Sequence, residues 1–210
     1  MKIIVTGGCG FIGSHLIKKL IKNKNNIVLN LDALSYASMP ESLNKIKYLK
    51  NYHFTKINLS NEKKIFNIIK SFQPNRIFHL AAESHVDNSI INSKNFIKSN
   101  IIGTYNLLNA VNSNISKKKD FKFIHVSTDE VFGSIKNKYL ESFNENSKFY
   151  PNSPYSASKA SSDLLVRAWS KTYSIPSIIT NCVNNFGQWQ FPEKLIPVVI
   201  HSCLKKIPIP

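Results

Sequence analysis

The chain has little arginine, little cysteine and no long apolar run. Only Arg76 and Arg167 among its 28 basic residues are arginine, set against 12 acidic residues and a formal charge of +16. Recognition of bases and phosphates leans on the bidentate arginine fork, which is nearly missing here. The lysines are dispersed, with Lys117–Lys119 the single run of three. A solvated lysine-rich face is expected, and no nucleic-acid partner; the 27 Ile and 25 Asn fit a bias toward AT-rich codons. Cys9, Cys182 and Cys203 are too few and too scattered for a disulfide framework or a metal cage. Reduced thiols, no metal and a cytoplasmic location are expected. Apolar stretches of four to six residues fall far short of the roughly 20 that a membrane span needs. The opening M-K-I-I-V-T-G-G breaks into glycine too early for a signal-peptide core.

What remains is a foldable balance, 42% apolar and 19% charged over 210 residues, which suits one large domain. Short β-branched runs alternate with segments of helical period. Strands are expected at 3–6, 27–31, 53–57, 76–80, 121–127 and 175–182. Helices are expected at 11–21, 41–49, 61–72, 94–112, 154–173 and 193–205. That alternation, with continuously apolar strands, predicts an α/β fold with a parallel sheet covered by helices on both faces.

Three constellations carry chemistry. In T-G-G-C-G-F-I-G, Gly7, Gly10 and Gly13 lie between the first strand and the first helix. Glycines there let backbone approach a pyrophosphate, which then rests on the helix N-terminus. Asp32, 19 residues beyond Gly13, ends the second strand, where an acid bonds the ribose hydroxyls and repels a 2′-phosphate. NAD is thus expected over NADP. In S-P-Y-S-A-S-K, Ser153 caps a helix, and Tyr155 and Lys159 share one helical face. The lysine is expected to lower the tyrosine pKa toward the range of a working base. At the end of the fifth strand, S-T-D-E-V-F-G adds Asp129 and Glu130 beside Thr128. Adjacent carboxyls in a cleft can divide acid and base roles, as elimination of water requires. Each constellation alone also fits a plain turn, a surface helix pair or two solvated acids.

These runs, with L-D-A-L-S-Y-A-S, H-L-A-A-E-S-H-V-D-N-S-I, T-N-C-V-N-N-F-G and F-P-E-K-L-I-P, resemble the dTDP-glucose 4,6-dehydratases over the whole chain. These are extended short-chain dehydrogenase/reductases. The resemblance implies a Rossmann-like doubly wound sheet over 1–186, with 187–210 opening a substrate region that lies mostly outside this chain. It implies a lyase that converts dTDP-glucose to its 4-keto-6-deoxy form in dTDP-rhamnose biosynthesis, and a homodimer in the full-length family form.

Carried over by position, the resemblance gives Gly7, Gly10, Phe11, Ile12, Gly13, Asp32, Leu34, Ser35, Asn58 and Leu59 to the adenosine and diphosphate part of NAD. Leu80, Ala81, Ala82, Glu83, Ser84 and Ser99 would line the dinucleotide, Lys159 would hold the nicotinamide ribose, and Asn185 would meet the nicotinamide. Tyr155 would be the base at the 4-hydroxyl, Asp129 the acid at the 6-hydroxyl and Glu130 the base at C5. Thr128, Ser84 and Asn184 would bind the sugar, and Glu193, Lys194 and Leu195 the nucleotide diphosphate. Asn58, Asn88, Gln188-Trp189-Gln190, Phe132 and Phe186 depart from the usual residues, and the 188–190 triplet is expected close to the substrate. Three alternatives stay open: a UDP-glucose 4,6-dehydratase, a nucleotide-sugar epimerase, and a non-catalytic NAD-binding module.

Overall fold

The β-branched runs form strands because their side chains pack on both sides of a pleated surface and leave the backbone to pair with its neighbours. The computed structural model describes residues 1–115, 118–135 and 142–209. Lys117 of the lysine run and Pro210 lie outside the described residues. Six strands, β1 (Lys2–Thr6), β2 (Ile27–Asp32), β3 (Tyr52–Lys56), β4 (Arg76–His79), β5 (Lys122–Thr128) and β6 (Ser177–Cys182), make one sheet. All neighbours are parallel, in the order β3-β2-β1-β4-β5-β6. This is the doubly wound order expected, with its switch point between β1 and β4, where a crevice opens at the strand ends.

Alternation along the strands divides the core. Ile3, Val5 and Val28 face α1 (Phe11–Leu20) with Ile17 and Leu43. Ile4, Leu29, Leu31 and Ile77 face the other way. There they meet α2 (Glu62–Phe72), α5 (Gly103–Ile115) and α6 (Pro154–Tyr173) through Ile65, Leu107 and Val166. The first face is covered less fully beyond β4. Ile178 of β6 is exposed, as are Leu195, Ile196, Ile200 and Leu204 of α7 (Leu195–Lys205).

Two helices differ from expectation. Residues 41–49 form a short 3₁₀ helix, Pro40–Leu43, followed by further i→i−3 bonds at Ile46, Leu49 and Tyr52. Leu43, Ile46 and Leu49 recur every third residue, a spacing that a three-residue turn aims at the core and an α-helix does not. The helix expected at 94–112 is broken. α3 (Val86–Ile91) and α4 (Ser93–Phe96) precede a π-helical stretch, Ile97–Ile102, which runs into α5. In that stretch Gly103 N–H donates to the carbonyl of Lys98, five residues back. The wide turn brings buried Asn100 inward, where it bonds both backbone groups of Glu83 and the Ser158 hydroxyl.

Gly7 is the tightest point of the sheet's upper edge. Its φ is +69°, and a Cβ would stand 2.7 Å from the Ala81 backbone nitrogen. Gly7→Ala combines a left-handed conformation with backbone overlap, and is expected to cost about 2–5 kcal/mol of stability. The exposed Lys63→Ala should stay within about 0.5 kcal/mol. Paired thermal or urea melts check both values.

Candidate active site

A cavity of about 680 Å³ opens over the ends of β1, β4 and β5. Its floor is the glycine turn. Gly7 N–H donates to the Leu31 carbonyl, and Gly10 N–H to the Gly7 carbonyl. A Cβ on Gly13 would collide with that same carbonyl, so α1 approaches the turn itself rather than the sheet. Gly10 caps α1 without a side-chain bond, and the first turn holds no acid. Phe11, Ile12 and Gly13 line the cavity there. Uncapped donors at a helix N-terminus form a site for an anion.

Asp32 is fixed from three sides. Its Oδ2 accepts from Cys9 N–H at 2.8 Å, and its Oδ1 from Leu34 N–H at 2.8 Å and the Ser38 hydroxyl at 3.0 Å. Leu34, at φ +54°, gives its backbone to this clasp while its side chain packs against the α1 side of the core. At the switch point Thr6 Oγ1 lies 2.7 Å from His79 Nδ1, and His79 Nε2 lies 2.9 Å from Thr104 Oγ1. Burial holds His79 well below the ordinary histidine range, so the imidazole there is neutral. The Ala81 N–H closes the network on the Thr6 hydroxyl.

Across the cavity, Ser153 caps α6 in a capping box with Ser156, and Pro154 occupies the first turn. Tyr155 and Lys159 both line the cavity from this helix. Thr128 ends β5, and a 3₁₀ turn, Asp129–Phe132, carries Glu130 over the site. The Thr128 hydroxyl donates to Asp129 Oδ1 at 3.3 Å.

Lys159 does not lower the tyrosine pKa as the spacing suggested. Its ammonium donates to the Val126 carbonyl at 2.9 Å. Burial raises the Tyr155 phenol well above its usual value, and the charge of Glu130 adds to that; only the hydroxyl bond with Thr128 opposes them. Burial also lowers Lys159 to about 8, and raises Glu130, which Asp129 pushes further up and Lys194 pulls back.

Residues 187–193 cross the mouth. His15 Nε2 donates to the Gln188 carbonyl at 2.9 Å, and Lys18 lies 5.9 Å from the Trp189 ring. On the other side Phe191 meets Tyr36 edge-on, and the Tyr36 hydroxyl donates to Glu193 Oε1 at 3.1 Å. Gln188 and Trp189 therefore turn toward α1. Within that triplet, only Gln190 lines the cavity.

The lining includes Gly7, Gly10, Ser35, Asn58, Leu59, Leu80, Ala81, Ala82, Glu83, Ser84, Ser99, Asn184, Asn185, Glu193 and Lys194, besides the residues above. Leu34, Asp129 and Leu195 stand outside it. Lining residues that sequence reasoning passed over include His85, Asn95, Lys98 and Ser127. Nothing in their local pattern marks them, apart from the position of Ser127 beside Thr128. Among the described residues no cluster of three His, Cys, Asp or Glu could hold a metal ion, and no helix is long and apolar enough to cross a membrane.

The chain is similar to the dTDP-glucose 4,6-dehydratase of Salmonella typhimurium, 47% identical over 222 residues, covering all of this chain and 62% of that protein. The chain therefore spans about three fifths of the length of this curated relative. The crystal structure of a dTDP-glucose 4,6-dehydratase from Bacillus anthracis in complex with NAD superposes with a TM-score of 0.87 at 38% identity, covering 100% of this chain and 63% of that one. A UDP-glucuronic acid 4-epimerase from Bacillus cereus, in complex with UDP-glucuronic acid and NAD, reaches a TM-score of 0.89 at 27% identity, covering 100% and 65%. The model of the family described as GDP-mannose 4,6 dehydratase matches residues 4–208. By fold, by the arrangement of its cleft and by this match, the chain belongs to the GDP-mannose 4,6 dehydratase family.

Proposed function

We propose that the chain supplies the cofactor-binding and reacting part of an NAD-dependent dTDP-glucose 4,6-dehydratase. One observation carries the reading: Thr128 and Glu130, with Asp129 beside them, share one cleft with Tyr155 and Lys159. An epimerase has no use for the acid pair. The fit to NAD rests on the uncapped N-terminus of α1, the close approach allowed at Gly7 and Gly13, and the clasped Asp32. Residues 1–186 form the dinucleotide domain in this reading, and 187–210 begin a substrate region. The similarity to the Salmonella typhimurium enzyme supports dTDP-glucose as substrate. A place in dTDP-rhamnose biosynthesis, in the cytoplasm, completes this reading. Exposed Ile97 and Ile102 on the π-helical stretch, Tyr105 on α5 and Leu164 on α6 favour a homodimer.

Bound NAD supplies reversible storage of one hydride, taken at C4 and returned at C6. The chain's own residues handle the protons. Tyr155 takes the proton of the 4-hydroxyl, with Thr128 holding that oxygen and Lys159 orienting the nicotinamide ribose. Glu130 takes the C5 proton; a carboxylate raised by burial is a stronger base than an exposed one. Asp129 protonates the departing 6-hydroxyl, which leaves as water. Glu130 then returns its proton to C5, and the proton kept by Tyr155 replaces the one that Asp129 gave. The fit of the raised phenol to this role depends on the positive charge that arrives with the oxidised cofactor.

Two outcomes follow. NAD is expected to bind at least about tenfold more tightly than NADP, a difference of about 1.4 kcal/mol, because a 2′-phosphate would face Asp32. Asp32→Ala should narrow the gap, and fluorescence titration with both dinucleotides measures it. In the protein at its full natural length, Glu130→Gln should lower solvent deuterium incorporation at C5 by about 10²–10⁴-fold while C4 oxidation continues. Undiminished incorporation would remove the acid pair from the elimination.

A further inference from the structure

A carboxylate behind the cleft has no part in the chemistry above. Asp163 lies one turn beyond Lys159 on α6, and its side chain is fully buried. Its Oδ2 accepts from the Ser127 hydroxyl at 2.8 Å. His125 Nε2 is 3.1 Å from Oδ1 but out of line for a hydrogen bond, which leaves that oxygen without a hydrogen-bond donor. A buried carboxylate with one bare oxygen is costly unless a nearby charge compensates it. The charge available is Lys159, four residues earlier on the same helix face. Both side chains are also tied to one stretch of β5, Lys159 through the Val126 carbonyl and Asp163 through the next residue, Ser127.

We propose that Asp163 is a positioning residue that keeps Lys159 in its ammonium form against β5, and so sets the pH range over which the chain holds a dinucleotide. The inference rests on the assignment of Lys159 to the nicotinamide ribose. The groups facing this pair come from every packed element. Tyr155 belongs to α6. His125 on β5 is held neutral by burial, as is His79 beside it on β4. Asn181 and Cys182 come from β6, and Asp129 and Glu130 from the 3₁₀ turn. Asp163 and the Cys182 thiol favour a charged Lys159, yet burial still lowers it to about 8. Burial raises Asp163 to about 6, with Lys159, Ser127 and Asn181 restraining the rise.

The sign follows from the order of these two values. Between about 6 and about 8 both groups are ionised and support each other. Below that window Asp163 is itself protonated, and a neutral replacement changes little. Within the window, loss of the carboxylate removes the charge that holds the lysine proton, so the ammonium is lost at lower pH.

The test is NAD affinity between pH 6 and 8 for wild type, Asp163→Asn and Asp120→Asn. Asp120→Asn deletes the same charge at an exposed site. Asp163→Asn should bind within about twofold of wild type at pH 6 and about fivefold more weakly at pH 8, the loss that one pH unit of displacement gives where wild-type Lys159 is itself half protonated. Asp120→Asn should follow wild type throughout. A parallel profile for Asp163→Asn, or a loss of equal size at both pH values, would overturn the positioning role while leaving the dinucleotide reading intact. Absence of NAD binding by the wild type would overturn both. Should Asp163→Asn fail to fold, the ε-carbon NMR signal of Lys159 in the wild type decides. A main step near its own titration with a smaller one at the Asp163 titration supports the role, and a single step refutes it.

Discussion

The Gly7 carbonyl is the point on which the closed end of the cleft depends. It accepts the Gly10 N–H, lies where a Cβ on Gly13 would be, and belongs to a residue packed on Ala81 at the end of β4. Gly7 is bonded in turn to Leu31 at the end of β2. Three strand ends thus converge on one peptide unit. The direction of α1, and with it the aim of its free N–H groups, is set by that convergence rather than by any side chain. Asp32 extends the same clasp by holding Cys9 in the turn and Leu34 and Ser38 in the loop beyond β2.

Opposite that rigid end, burial drives the titratable groups of the cleft and of the wall behind it toward neutrality. Tyr155, Glu130 and Asp163 all hold their protons more firmly than in water, and Lys159 holds its proton less firmly. Few of these groups are strongly committed to charge near neutrality, so a charged ligand entering the cleft has large leverage over which of them ionise. The buried network of Thr6, His79 and Thr104 gives the strand ends a fixed scaffold beneath these mobile protons. Its imidazole is neutral, and it adds no charge to the site.

The alternation of strands and helices, the glycine turn, the strand-end position of Asp32 and the shared helix of Tyr155 and Lys159 were all legible in the sequence. Each rests on local spacing: a glycine interval, a strand end, or one helical turn with Ser153 to cap it. The π-helical stretch was not legible, because the apolar residues between Phe96 and Leu107 fit an uninterrupted helix equally well. The direction of the Tyr155 shift also escaped. Sequence places the lysine one turn away but cannot show that its head is occupied by the Val126 carbonyl while Glu130 and Asp129 lie nearby. The turn of Gln188 and Trp189 toward α1 escaped for a similar reason, since their partners His15 and Lys18 are far away in the chain.

The wide turn at Ile97–Ile102 makes the helix between α4 and α5 a matter of counting. A π-helical turn takes up about one residue more than an α-helical turn, so shortening this stretch by one residue would restore regular winding, leave the flanking helices in place and change only what the wide turn displays. Asn100 would leave the Glu83 backbone, and Ser99 and Lys98 would leave the cavity wall. Replacements that preserve length can be absorbed along this helix face. A single deletion cannot, and the tolerance of this wall to change is therefore governed by residue number more than by residue type.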